Sequence, residues 1–363
     1  MRLSRLKVVR KSIGNNRRGF LYIGALREVM VISLVTAVVL FLLSSGQSVL
    51  QVDSSVKDSQ ALKVAEHPVL NLSYDSEKHD VVVYSWLGQV DEIHLQSGET
   101  TRRRTAENLR SIATSRTNSV SASLSEWWSD NQVHCQLYIT RRGQLICSER
   151  FEFNDSSSAD VRVSDDGSTV MAIGHDGCVV GWDLTGESIA RWEFRVQDST
   201  VVNSLSPDGR LLFLSPSFTP ATVRDARTGD VHFTLPEFAS SNRTVSWSGD
   251  SSKLAVADQR GCVFVYDAAS GEQIWRNRLD FLFARSLTIS PDGKLLVAGG
   301  FDKKIRIWDV TSTAGPPHEL PAATGIVHSF VFADAGEDLI SGSDDGTIRQ
   351  WSVASQKLIR QLR

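Results

Sequence analysis

An all-β ring of seven four-stranded units, preceded by one membrane-spanning helix, is the fold this sequence predicts. Three observations carry that prediction. A strand-ending pattern recurs about every 42 to 45 residues. Each copy consists of short apolar strands separated by turns rich in Gly, Asp and Pro. Ahead of the repeats, eight Lys and Arg residues precede a run of eighteen uncharged, mostly apolar residues.

The N-terminal elements are read from charge. Of the 363 residues, 41% are hydrophobic and 22% charged, with a net charge of −3. Residues 1–28 hold Arg2, Arg5, Lys7, Arg10, Lys11, Arg17, Arg18 and Arg27 against a single acid, Glu28. The head is therefore +7, which leaves −10 for residues 29–363. A domain of that charge disfavours a nucleic-acid partner, because the phosphate backbone binds cationic surfaces.

Residues 29–43, VMVISLVTAVVLFLL, carry no charge, and Ser44, Ser45 and Gly46 extend the run. A spanning helix takes about 20 mostly apolar residues, so the segment is long enough. The basic head in front of it places residues 1–28 in the cytoplasm and the rest of the chain across the membrane. Two export signals compete with an uncleaved anchor. Cleavage near Ser44, Ser45 and Gly46 would leave a secreted or periplasmic protein. Arg17-Arg18-Gly19-Phe20-Leu21 is similar to a twin-arginine signal, although Arg27 and Glu28 interrupt the apolar run. The resulting plan is a basic cytoplasmic head at 1–28, a transmembrane helix at 29–46, a Ser/Gln-rich linker at 47–67 and the ring of seven units at 68–363.

Four segments of the repeat align almost without gaps: 169–187, 253–272, 294–312 and 338–356. Their third strands end on Trp182-Asp183, Tyr266-Asp267, Trp308-Asp309 and Trp351-Ser352, and a degenerate copy ends on Arg224-Asp225. Pattern alone places Leu95 and Thr140 at the equivalent position of two upstream units. Several units also open with an alternating strand and a tight turn, as at 201–206 before Pro207-Asp208-Gly209 and 286–290 before Pro291-Asp292-Gly293. Pro presets φ in such a turn, Asp bonds the backbone two residues on, and Gly supplies positive φ. One four-stranded unit cannot bury both of its faces. Seven stacked around an axis can, and they leave only short, protected edges.

The aromatic-Asp pairs together with the Ser-Pro-Asp-Gly turns resemble the WD-repeat β-propeller family over about residues 68–363. The resemblance implies a seven-bladed WD-repeat propeller that binds protein partners on one rim. It also implies a Gly-His pair in each repeat, joined to a Ser/Thr, a turn Asp and the Trp. Asp176, Asp302 and Asp345 are the turn candidates, with Ser341 and Ser343 in the last unit. No such pair stands before the first strand of a repeat, where the family has it, and the nearest match there is Gly325 with His328, offset by two. Stability must then rest more on packed apolar strands. The last unit supplies its own outer strand at 356–362, so the ring either closes without strand exchange or recruits residues 50–66.

No nucleotide-binding, kinase, hydrolase-elbow or zinc-protease motif occurs, and no cofactor or metal is predicted. The eight histidines are scattered among the units. Cys135, Cys147, Cys178 and Cys262 form no metal-binding spacing and read as small buried hydrophobes. A cross-strand Cys135–Cys147 disulfide would require those residues to face each other. Arg102-Arg103-Arg104, at the end of an outer strand, and Arg141-Arg142, in a hairpin turn, read as solvated edge protection or as contacts for an acidic partner. Three Asn-x-Ser/Thr sequons begin at Asn71, Asn154 and Asn242.

In the WD-repeat family, the loops between second and third strands line a partner-binding rim. Trp86, Phe218, Arg260 and Phe301 fall there by alignment and are the candidate partner-binding residues, since aromatics and Arg anchor interfaces. The function expected is a membrane-anchored protein-interaction scaffold, not an enzyme, with an unidentified protein or peptide as partner. The alternative is an extracytoplasmic propeller enzyme, a hydrolase or quinone-dependent dehydrogenase. It calls for three or more charged or histidine side chains converging at one end of the axis. A third reading is a structural or sensing module for a cell-envelope polymer.

Overall fold

The computed structural model describes residues 69–362 apart from 76–77, 86–88, 105–108, 117–118, 130–131, 154–158, 197–199, 217–218, 236–243, 259, 280–283, 313–314 and 321–324. Seven four-stranded antiparallel sheets follow one another along the chain, at residues 69–104, 109–153, 159–195, 200–235, 244–278, 284–320 and 327–361. They form a seven-bladed β-propeller. Within each blade the strands lie in sequence order, a to d, and the a strands of successive blades pack together at the axis. Among the described residues no helix is long and apolar enough to cross a membrane. The predicted head, anchor and linker at 1–67 lie outside the described residues.

Burial follows the radius. The b strand of blade 3, Thr169–Gly174, is buried along its whole length, whereas its d strand, Ala190–Arg195, is mostly exposed. Inner strands are covered on both faces by neighbouring blades, so they read as continuous apolar runs. The apolar cores therefore lie between blades. Leu124, Leu137 and Ile139 of blade 2 pack with Val161, Val170 and Trp182 of blade 3. Comparable clusters join the later blades in turn. Packed apolar seams thus carry the ring, as the incomplete Gly-His network implied.

The ring closes without strand exchange among the described residues. Blade 7 uses its own d strand, Lys357–Gln361. Its closure onto blade 1 is made by side chains. Leu72, Tyr74, Val81, Val83, Ile93 and Leu95 pack against Ala333, Ile340 and Ile348. The Leu72 amide donates to Ser329 Oγ at 3.0 Å, and the Tyr74 hydroxyl donates to Asp334.

The turns explain why the repeat spacing is so regular. In blades 3 to 6 the Ser that starts each a–b turn does two things: its hydroxyl donates to the turn Asp and accepts an amide from the b strand. The pairs are Ser164–Asp166, Ser206–Asp208, Ser248–Asp250 and Ser290–Asp292. Amides of Thr169, Leu211, Lys253 and Leu295 donate back to those serines at 2.9 Å. Gly209 and Gly293 adopt φ of 71° and 67°, where a side chain is strained.

The aspartates that end the c strands cap the c–d turns. Asp183 accepts from the amide and hydroxyl of Thr185, and Asp309 does the same with Thr311. The Thr185 hydroxyl, then its amide and Arg227, hold the Asp183 carboxyl at a pKa of about 2, against an ordinary 3.8. Asp267, Asp292 and Asp309 are lowered by the same kind of turn hydrogen bond. A depressed carboxyl pKa stabilises the fold above the ordinary value and loses that contribution as pH falls through the folded one. The melting temperature is therefore expected to decline as pH drops from about 4 towards 2. Asp183→Asn should flatten the decline, measured by circular dichroism; an unchanged slope would refute the assignment.

Two register expectations need correction. In blades 3 to 7 the strand-ending residue pairs with the first residue of the b strand, as Asp183 does with Thr169 and Ser352 with Asp338. In blade 1 that partner of Asp80 is His94, not Leu95, and in blade 2 the partner of Val120 is Arg141, not Thr140. Leu95 is instead equivalent to Leu184, one position on, with its amide bonded to the His79 carbonyl. Blade 2 has strands of ten residues, which breaks the even spacing.

The Cys135–Cys147 pairing also fails on register. Cys135 lies opposite Phe151 and Cys147 opposite Ile139, so the two are four rungs apart, and both thiols are free. Burial, reinforced by Glu126 and Asp176, raises the Cys135 thiol to about 12, so it packs as a neutral hydrophobe.

Candidate functional site

The propeller presents two ends. One end carries the b–c loops and is the loop rim. The other carries the a–b and c–d turns and is the turn rim.

On the loop rim the turn candidates behave as expected. Asp176, Asp302 and Asp345 each accept the amide two residues on, from Cys178, Lys304 and Thr347. Arg260 and Phe301 lie on this rim in adjacent blades, and both are exposed, Phe301 at 56%. The Arg260 amide donates to Asp258 Oδ1, which fixes the start of that loop. Trp86 and Phe218 lie outside the described residues. Lys303, in the same loop as Phe301, has a φ of 64°, and Lys304 pairs with Glu319 at 2.7 Å. Beneath the loop Arg306, 3% exposed, sits between Asp302 at 2.6 Å and Glu319 at 3.3 Å.

At the turn rim the axis opens into a cavity of about 330 Å³, to which all seven blades contribute. Its walls carry the hydroxyls of Ser73, Thr114, Ser204, Ser246 and Thr288, with Pro207, Pro291 and Trp247. Arg116 and Asp165 are the charged side chains in that lining. Both occupy the turn position just after the conserved-geometry Ser, which in the next blades is Pro207, Gly249 and Pro291. A Cβ added to Gly249 would lie 3.1 Å from Arg116 Nη1, so the guanidinium reaches from blade 2 to blade 5, across the axis. Burial raises the Asp165 carboxyl, and Arg116 partly offsets this. Backbone bonds tie the same turns around the axis: Arg116 to Asp165, Asp165 to Pro207 and Gly249 to Pro291.

The cavity therefore gathers one Arg and one Asp with hydroxyls and prolines, fewer charged groups than the enzymatic alternative calls for. The histidines serve separate contacts. His94 pairs with Asp80, His79 with Asp334, His134 stacks on Trp127, and His328 accepts from Arg285. Among the described residues no group of His, Cys, Asp and Glu is placed to hold a metal.

Sequence reasoning missed Arg116 and Asp165. A signal for them existed, since the Ser at 164, 206, 248 and 290 recurs every 42 residues and marks the position that faces the axis. It missed the rearranged Trp network as well. Trp351 Nε1 donates to Ser341 Oγ at 2.9 Å, the arrangement the resemblance implies. Trp182 Nε1 instead donates across the seam to Glu149 of blade 2 at 2.8 Å. The Trp308 indole N–H is buried with no acceptor, because Ala298 stands where blade 7 has Ser341.

The architecture defines a seven-bladed β-propeller, and a WD-repeat model matches part of it. Residues 283–309 and 315–352 match the family model "WD domain, G-beta repeat". The second match starts ahead of the d strand of blade 6 and ends with the c strand of blade 7, so the sequence repeat is offset from the structural blade.

The chain is 28% identical over 155 residues to U3 small nucleolar RNA-associated protein 15 of Saccharomyces cerevisiae, covering 42% of this chain and 30% of that protein. It is 31% identical over 196 residues to Centriole proteome protein 16 of Chlamydomonas reinhardtii, covering 44% and 9%. It is 23% identical over 160 residues to the human Serine-threonine kinase receptor-associated protein, covering 44% and 45%. The chain spans less than half the length of each of these relatives.

Proposed function

We propose that this protein is an interaction scaffold that presents the loop rim of its propeller to a protein or peptide partner. The observation that carries this reading is a seven-bladed ring with Arg260 and Phe301 exposed on one rim in adjacent blades. Aromatic and Arg side chains on a fixed frame bind with little loss of conformational entropy. The WD-repeat family match over residues 283–309 and 315–352 supports a scaffold over an enzyme. The proposal includes the membrane. Residues 29–46 tether the ring, with residues 1–28 in the cytoplasm and the propeller on the far side.

Two experiments test it. Full-length protein in detergent should capture a partner that the Arg260→Ala, Phe301→Ala double variant releases at least about tenfold more readily. Retention of the partner by the double variant would move the interface elsewhere. Protease treatment of intact cells or spheroplasts should degrade the propeller; protection together with cytosolic markers would reverse the topology.

A further inference from the structure

We propose that Arg260 and Arg278, at the loop-rim end of blade 5, together receive one carboxylate side chain of the partner. The inference rests on the loop rim being the partner face, and it narrows the partner to one with an accessible Glu or Asp. It comes from setting equivalent positions of blades 3 and 5 side by side. In blade 3 the turn residue Asp176 meets Arg195, the last residue of the d strand. Arg195 Nη2 lies 3.1 Å from Asp176 Oδ2, and its Nη1 donates to the Asp176 carbonyl at 3.2 Å. The backbone brings the two together: Arg195 lies opposite Cys178, and the Val196 amide donates to the Gly177 carbonyl at 2.9 Å. Blade 5 repeats that backbone. Arg278 ends the d strand opposite Cys262, and the Leu279 amide donates to the Gly261 carbonyl at 2.7 Å. Yet the turn position, Asp in blades 3, 6 and 7, is Arg260 here.

The exchange is compensated within the turn. Asp176 caps its own turn by accepting the Cys178 amide two residues on. In blade 5 Asp258, 9% exposed, takes over that cap. Its Oδ1 accepts the Arg260 amide at 2.9 Å and the Cys262 amide at 2.7 Å. Gly174 and Gly300 stand at the position of Asp258 in blades 3 and 6. With the cap moved, turn chemistry places no demand on residue 260, and an arginine there needs another cause.

Arg260 and Arg278 are both exposed, and neither side chain makes a hydrogen bond or ion pair among the described residues. In blades 3 and 6, by contrast, the turn Asp holds an arginine, Asp176 with Arg195 and Asp302 with Arg306. Two guanidiniums at neighbouring positions repel each other. A carboxylate between them relieves the repulsion and accepts N–H donors from both planar forks. Blade 3 shows that a carboxylate fits beside the d-strand arginine. In blade 5 the partner supplies it.

The test uses the full-length protein in detergent micelles and ligand-observed NMR with three probes: acetyl-Gly-Glu-Gly-amide, acetyl-Gly-Gln-Gly-amide and inorganic phosphate. The Glu peptide should bind saturably, the Gln peptide should not, and phosphate should bind no more tightly than the Glu peptide. Arg278→Gln should weaken the Glu peptide about tenfold at an unchanged melting temperature. Arg260→Asp should rebuild the blade 3 pair with Arg278, so it should keep or raise the melting temperature and abolish peptide binding. Asp280 is the acid nearest to Arg278 in sequence, and Asp280→Asn should change binding less than about twofold. Arg210→Ala on the turn rim should leave binding unchanged.

No saturable binding of the Glu peptide, equal binding of the Gln peptide, tighter binding of phosphate, or full binding by Arg278→Gln or Arg260→Asp would overturn the assignment. So would a tenfold gain with Asp280→Asn, since the chain's own carboxylate would then hold the arginines. If Arg278→Gln keeps the peptide while the Arg260/Phe301 variant releases the partner, the rim stands and the carboxylate site falls. If Arg278→Gln loses the peptide while the rim variant keeps the partner, the site stands and the rim falls as the partner face.

Discussion

Trp182→Ala is expected to destabilise the propeller by about 3–5 kcal/mol, the range for removing a buried aromatic from a packed core. Trp182 is 1% exposed and sits in the seam between blades 2 and 3, with Phe151 of blade 2 at a ring-centroid distance of 5.9 Å. The substitution removes the packing of the ring and the indole bond to Glu149 together. Trp182→Phe separates the two, since it keeps most of the apolar volume and deletes only the N–H donor. Glu149 retains Arg191 at 2.9 Å, so the phenylalanine variant should cost about 1–2 kcal/mol. The measurement is the shift in urea midpoint at constant m-value. An alanine variant within about 1 kcal/mol of wild type would show that this seam does not depend on the tryptophan.

The second large effect lies in the contrast between blades 6 and 7. Ser341→Ala should cost about 1–3 kcal/mol, because it strands the indole N–H of Trp351, which is 2% exposed. The reverse experiment is available in the same molecule. Ala298 occupies the register position of Ser341, and Trp308 Nε1 is buried without an acceptor. Ala298→Ser should therefore stabilise by about 1 kcal/mol, the net value of one hydrogen bond made by a group already desolvated. Destabilisation by Ala298→Ser would mean that the hydroxyl cannot reach the indole and is itself buried unpaired. Destabilisation by both variants would refute the equivalence of the two sites.

Much of the frame was legible in the residues because turn chemistry is local. Pro207-Asp208-Gly209 and Pro291-Asp292-Gly293 make the turns that their residue types require, and Asp208 bonds the amide two residues on, that of Arg210. The aromatic-Asp pairs mark the ends of c strands for the same reason, since the Asp caps the turn that follows it. Where those local signals fade, so does the accuracy. In blades 1 and 2, which lack an aromatic-Asp pair, even spacing placed the strand end one residue off, at Leu95 and Thr140.

The candidate site was less legible. Arg260 and Phe301 reach the rim because loop position follows from strand order. Arg116 and Asp165 did not stand out, because they come from two blades.

The sequence by itself thus determined the number of blades, through the count of repeats, and the antiparallel strand order and the chemistry of the tight turns, which depend on residues within one repeat. It also determined the charge contrast between the head and the rest of the chain. Only the tertiary structure decided which tryptophan finds which acceptor and how blade 7 closes onto blade 1. Those features depend on distances between residues that only the stacking of separate blades brings together.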